Sequence, residues 1–106
     1  HSTSSAASDV YKRQNKLSLS QNYPNPFNPI TSFHYNLAEY GKVEITITDI
    51  LGREIVTLVD NYQRQGNHNI LWTGKDKNGD QVPSGIYFYN LKSGSTLITK
   101  KMTLTK

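Results

Sequence analysis

The chain has 106 residues, of which 35% are hydrophobic and none is cysteine, so it is long enough for one domain without disulfides, thiolate metal sites or a cysteine nucleophile. The formal net charge is +4, yet seven acids outnumber five basic residues between 17 and 91, so the positive surplus lies at the two ends of the chain. This distribution argues against a nucleic-acid-binding face, and no apolar run approaches the roughly 18 residues of a membrane span.

The first fifteen residues, HSTSSAASDVYKRQN, are small, polar and without periodicity. We interpret them as a disordered linker or a non-native leader and leave them out of the fold. The folded domain is predicted to cover residues 16–106. Its first element is a short strand at Leu17–Gln21.

An unusual proline segment follows the first strand. It consists of Asn22, Tyr23, Pro24, Asn25, Pro26, Phe27, Asn28 and Pro29. Each proline fixes its own φ, lacks a backbone donor and keeps the preceding residue out of the helical region. The segment is therefore predicted to be stiff and extended, to join neither a helix nor a central strand, and to place Tyr23 and Phe27 against an apolar surface.

Alternating apolar residues and turn signals predict six further strands after the proline segment. These are Ile30–Leu37, Val43–Ile50, Glu54–Val59, a fifth strand carrying His68, Ile70 and Trp72, then Ile86–Leu91 and Thr96–Leu104. Gly52 and the Asn78-Gly79 pair mark tight turns, and Asn61–Gln65 is predicted to be a polar loop.

Seven short strands in about 90 residues predict an all-β domain, namely an immunoglobulin-like two-sheet β-sandwich. The predicted core contains Ile45, Ile47, Trp72, Tyr87 and Tyr89.

The sequence offers little for chemistry. Asp76, Asn78 and Asp80 have the spacing that begins a calcium loop, but the later glutamate of an EF-hand is missing. An Asn-Gly turn with solvated acids explains these residues more simply. No nucleophile motif accompanies Ser84, so we expect no enzymatic activity. We also expect no bound metal and no cofactor.

The order of motifs resembles a known bacterial family. The motifs are NYPNPFNP, T-x-F-x-Y-x-L, V-x-I-x-I-x-D-x-x-G-R, G-x-H-x-x-x-W, D-x-x-G-x-x-V-x-S-G-x-Y-x-Y-x-L and K-K-M-x-L-x-K. Their order resembles the type A C-terminal sorting domain of the type IX secretion system, which is related to the immunoglobulin-like domain of the flagellar hook-capping protein. One departure is Trp72-Thr73-Gly74, where that family usually has Trp-Asp-Gly.

The resemblance implies a non-catalytic module at the end of a larger secreted cargo protein. Such a module passes through the periplasm, is recognised by the outer-membrane translocon and is handled by sortase-like processing machinery at the cell surface or in the medium. In that family the signal lies in the last strands, here Gly85–Lys106. The residues that the resemblance assigns to translocon recognition are Gly85, Lys100, Lys101, Met102, Leu104 and Lys106.

The last strand also has a physical route to a partner. It carries lysines and no acid, so as an edge strand it would be able to pair with a receptor strand while its lysines discourage self-pairing. Two alternatives stay open. One is a structural subunit or adhesion module that forms extracellular fibres through edge pairing or strand exchange, and the other is a flagellar hook-capping module.

Overall fold

The computed structural model describes residues 17–105, which form an all-β sandwich of two antiparallel sheets. The strands are β1 (Ser18–Leu19), β2 (Thr31–Leu37), β3 (Gly41–Asp49), β4 (Glu54–Gln63), β5 (Gly66–Trp72), β6 (Gly85–Ser93) and β7 (Thr96–Leu104). The predicted immunoglobulin-like sandwich of seven strands is therefore confirmed. The predicted leader 1–15 and its boundary with the domain at residue 16 lie outside the described residues.

The two sheets differ in size. Strands β1, β2 and β5 form a three-stranded sheet in that order, and β4, β3, β6 and β7 form a four-stranded sheet in that order. Strand β3 illustrates why the chain folds this way, since Val43, Ile45 and Ile47 are fully buried while the residues between them face outward. That period of two buries one face of each strand against the other sheet.

Aromatic rings fill the space between the sheets. Phe33 stacks on Tyr89 with 4.3 Å between ring centroids. Trp72 contacts Phe27 at 5.6 Å and Tyr87 at 5.7 Å, in tilted and edge-on arrangements that suit aromatic pairs. The indole N–H of Trp72 donates to a backbone carbonyl, so its polar atom is satisfied despite burial.

The predicted loop over Asn61–Gln65 is wrong in its first part, because β4 continues to Gln63. Strand β3 already begins at Gly41, and its register with β4 runs out to the Gly41–Gln63 pair. A salt bridge of 3.3 Å joins Lys42 to Asp60 across these strands. Cross-strand pairing thus extends the strand through a polar stretch that has no alternation of its own.

The first strand is shorter than predicted. Only Ser18 and Leu19 pair with β2 in the ladder, and Ser20 adds one more backbone hydrogen bond, to His34. The proline segment begins two residues later, keeps one isolated bridge to β2 at the Tyr23–Ser32 pair, and then leaves the sheet.

The turn between β3 and β4 is built by the D-x-x-G-R motif. Asp49 Oδ1 accepts the backbone N–H groups of Leu51 and Arg53, and Asp49 Oδ2 accepts Arg53 Nε at 2.8 Å. Gly52 has a φ of +85°, which favours glycine. This motif is therefore explained by turn geometry rather than by chemistry.

Candidate recognition site

Strand β7 lies at one edge of the four-stranded sheet, with β6 as its ladder partner. Its side chains alternate between the core and the solvent. Met102 and Leu104 are fully buried, and Lys100 is half-buried on the same inner face. Lys101 is exposed on the outer face. The two adjacent lysines of the terminal motif thus point to opposite sides of the sheet.

The residues assigned to recognition therefore have different surroundings. Met102 and Leu104 contribute to the hydrophobic core, and Gly85 begins β6 opposite Leu104 with a φ of +151°. Of the assigned residues that the structure describes, Lys101 is the one with a freely exposed charged side chain. Lys106 lies outside the described residues.

The outer edge of β7 is covered over its C-terminal part by the proline segment. The N–H of Phe27 donates to the carbonyl of Thr103 at 2.9 Å, and the N–H of Thr105 donates to the carbonyl of Phe27 at 2.8 Å. Asn25 Oδ1 accepts the N–H of Thr103 at 3.0 Å. Because the ring of Phe27 is only 1% exposed, this segment both pairs with the edge and fills the core.

Asn22 and Gln21 hold the proline segment in place. Asn22 is buried and donates from Nδ2 to the carbonyl of Pro24 at 3.1 Å and to Thr31 Oγ1 at 3.0 Å. Gln21 Nε2 donates to Asn22 Oδ1 at 2.7 Å and to the carbonyl of Lys101 at 2.9 Å. The amide side chains of Gln21 and Asn22 thus satisfy the carbonyls of Lys101 and Pro24 that the edge strand and the proline segment leave open.

The prediction that both aromatic residues of the segment face an apolar surface is right for Phe27 and wrong for Tyr23. Tyr23 exchanges two backbone hydrogen bonds with Ser32. That pairing turns the tyrosine side chain outward, where it is 80% exposed.

The N-terminal part of the same edge is open as far as the described part of the chain is concerned. Backbone groups alternate along an antiparallel strand between the partner and the outside. Since Thr103 and the carbonyl of Lys101 face outward, so do the N–H and C=O groups of Leu97 and Thr99 and the N–H of Lys101. Within residues 17–105 no hydrogen-bond partner meets these five groups.

The surface beside the open edge is basic and partly apolar. Residues 92–105 contain three lysines and no acid. Leu97 is 63% exposed. Thr99 donates from Oγ1 to Asn90 Oδ1 on the outer face at 2.8 Å, which fixes the middle of the open stretch without using its backbone. An extended chain can hydrogen-bond here, and acidic neighbours would be favoured.

Tyr89 joins the two sheets beneath this edge. Its hydroxyl donates to the carbonyl of Ser20 at 2.7 Å. Burial in the core raises its pKa to about 12, opposed by a hydrogen bond from the backbone of Asn22. The neutral phenol is therefore the form that the folded domain retains.

The calcium candidate is an ordered turn. Asp76 Oδ1 accepts the backbone N–H groups of Asn78 and Asp80, and the N–H of Gly79 donates to the carbonyl of Asp76. Among residues 17–105 no group of three or more acidic, histidine or cysteine side chains is placed to hold a metal ion. In the same part of the chain, no helix has the length and apolar character to cross a membrane.

Sequence reasoning missed the contact between the proline segment and β7. It identified both motifs but gave no reason to bring them together. Two signals pointed towards the contact, namely Asn25, a side-chain acceptor with no helix or turn role in its context, and Phe27, a large apolar residue among prolines.

Comparison with known proteins identifies related sequences and folds. The model of the family described as "Secretion system C-terminal sorting domain" matches residues 21–105. No curated protein matches the chain.

Several solved structures share the fold, including the following three. Dimeric latent PorU from Porphyromonas gingivalis is 20% identical with a TM-score of 0.65, the match covering 85% of this chain and 9% of that one. PorZ, an essential surface component of the type IX secretion system of the same organism, is 16% identical with a TM-score of 0.57, and the match covers 88% and 12% of the two chains.

The third, FlgD from P. aeruginosa, is 21% identical with a TM-score of 0.55, and the match covers 70% of this chain and 57% of that one. The chain thus spans about a tenth of the length of the first two proteins, and these three likenesses describe its fold.

Proposed function

Because this chain belongs to the secretion-system C-terminal sorting domain family, we propose that it is a non-catalytic sorting and anchoring domain that directs an attached cargo protein through the type IX secretion system. Membership implies a cargo upstream, contact with the secretion machinery, and export by way of the periplasm to the cell surface or the medium. Handling by sortase-like processing machinery is part of the proposal.

The observation that carries the recognition step is the open stretch of β7. Five outward-facing backbone groups between Leu97 and Lys101 have no partner among the described residues, on a strand that carries lysines and no acid. We propose that a strand of the translocon pairs with this stretch. Main-chain hydrogen bonds would supply affinity, and Lys101 would favour an acidic partner while discouraging pairing with a second copy.

The assigned residues then divide by role. Lys101 contacts the partner directly, and Lys100 does so at the inner side of the added strand. Met102 and Leu104 act through the core that holds β7 in place, and Gly85 acts through the turn into β6. Lys106 is included on the strength of the family motif.

The test is a proline substitution that removes an outward donor without breaking the sheet. Proline is tolerated on an edge strand when its missing N–H faces solvent, as at Thr99. In the full chain fused behind a reporter, we expect Thr99→Pro to lower export at least about fivefold. The variant loses about one hydrogen bond to the partner strand, and the proline ring blocks close approach of that strand.

Thr99→Ala is the matched control, because it loses the same hydroxyl contact with Asn90 but keeps the backbone donor. Leu97→Pro is a second variant of the same kind. Circular dichroism melts establish that each variant folds. Export of folded Thr99→Pro and Leu97→Pro at the level of Thr99→Ala would overturn the pairing proposal.

The structural alternative uses the same edge with a second copy as its partner. A fibre subunit or adhesion module would assemble through this stretch, whereas a sorting domain would stay monomeric. Light scattering and electron microscopy of the chain distinguish them. Regular filaments that Thr99→Pro abolishes would favour the fibre role over the sorting role.

A further inference from the structure

A cleft opens directly beside the unpaired stretch of β7. It has a volume of about 880 Å³, and its lining includes Leu17, Ala38, Tyr40, Lys42, Thr96 and Ile98. Its size falls within the range of pockets that hold small ligands or side chains. It lies at the end of the sandwich where β2 ends and β3 begins.

The cleft and the open edge share strand β7. Thr96 and Ile98 line the cleft, while the backbone groups of Leu97 and Thr99 form the open edge. Ile98 lies on the inner face, opposite buried Leu91. A strand added to β7 would place every second side chain on that same inner face, about 4.5–5.5 Å from its neighbour on β7.

The lining selects an apolar side chain. Leu17 and Ile98 are half-buried and packed against the core, and the ring of Tyr40 stacks on that of Tyr62 at 5.8 Å. At the rim Glu39 and Lys42 carry opposite charges. Lys42 is already paired with Asp60 at 3.3 Å, so the apolar part of the lining is what remains for a partner side chain.

We propose that the strand that pairs with β7 carries a large apolar residue that inserts into this cleft beside Ile98, with acidic residues opposite Lys100 and Lys101. This inference rests on the proposed function, whose recognition step it makes specific. The inserted side chain fixes the register of the added strand, because a slip of one residue turns it away from the cleft to the outer face. Backbone pairing alone lacks that selectivity.

The probe is a synthetic peptide, acetyl-Glu-Glu-Thr-Phe-Val-Thr-amide. Run antiparallel to β7, its acids face the two lysines and its phenylalanine faces Ile98. Titration into the isotope-labelled chain is followed by amide NMR. We expect shifts at Leu97, Thr99, Lys101 and the cleft, and binding at least about tenfold weaker when serine replaces the phenylalanine, since an apolar side chain loses its burial.

Two variants of the chain test the cleft itself. Ala38→Trp fills it and Ile98→Ser makes its floor polar, so either is expected to reduce the preference for phenylalanine over serine to less than about twofold. A folded variant that keeps the full preference would overturn the cleft as the anchor, as would equal binding of both peptides or no binding of either.

Failure of this inference is distinguishable from failure of the proposed function. Suppose that a fusion with folded Ala38→Trp is exported as well as the wild type, while the fusion with Thr99→Pro stays in the periplasm. The edge then acts without the cleft, and this inference is wrong. If the wild-type fusion itself is not exported, the sorting role fails whatever the peptides do.

Discussion

Replacing Phe27 by alanine tests whether the proline segment is part of the core. The ring is 1% exposed and lies 5.6 Å from Trp72 between centroids. Burial of a phenylalanine contributes about 1.5–3 kcal/mol, and an aromatic pair contributes about 0.5–1.5 kcal/mol more. We therefore expect Phe27→Ala to lower the free energy of unfolding by about 3 kcal/mol, at the lower end of Phe→Ala losses in cores.

Urea unfolding followed by fluorescence of Trp72 and by circular dichroism measures this loss. In a domain of this size, it corresponds to a decrease in Tm of about 12–24 °C. Tyr23→Ala is the matched control from the same segment. Its side chain is exposed, so its effect should stay within about 0.5 kcal/mol. A loss below about 1 kcal/mol for Phe27→Ala would refute the view that this segment completes the core.

Two further predictions concern the edge and its support. Asn25→Ala removes the acceptor of the Thr103 N–H, so we expect the free energy of unfolding to fall by about 1 kcal/mol and the Thr103 amide to exchange its hydrogen faster. Exposed Asn28→Ala is the control. Unchanged exchange at Thr103 would contradict the contact. The folded pKa of Tyr89 is raised to about 12 from an ordinary value of 10.0, so its contribution to stability is complete below pH 10 and is lost as pH rises towards 12. Stability measured against pH should therefore fall in that window and fall less steeply in Tyr89→Phe, and an equal slope in both proteins would contradict the assignment.

The sequence predicted the features that depend on neighbouring residues. The alternation of Val43, Ile45 and Ile47 identified β3 and its buried face, and Gly52 identified the turn that follows. These features are local, because strand period and turn chemistry are fixed within a few residues.

The sequence did not predict the features that depend on distant residues. Asn25 and Thr103 are 78 positions apart, and no local pattern relates them. Tyr23 is exposed and Phe27 is buried because the first pairs with the backbone of β2 and the second with that of β7. An irregular segment has no period from which the sequence would assign these side chains to a face. The β4 extension to Gln63 has the same origin, since its pairing with β3 overrides a polar stretch.

The division of β7 into a covered and an open half is likewise a tertiary property. The terminal motif, read as a string, presents Lys100, Lys101, Met102 and Leu104 as equivalent. In the folded domain two of them are core residues, and the lysines lie on opposite faces. Motif residues of a recognition strand therefore include those that hold the strand in place as well as those that contact a partner.

The central claim is that this domain is sufficient to direct export, and it is tested most directly by fusing the chain behind a periplasmic reporter. The fusion is expressed in a bacterium with a functional type IX secretion system and in a matched strain whose translocon is inactivated. The account predicts reporter at the cell surface or in the medium only in the first strain. Retention in the periplasm of both strains, or equal release from both, would contradict it.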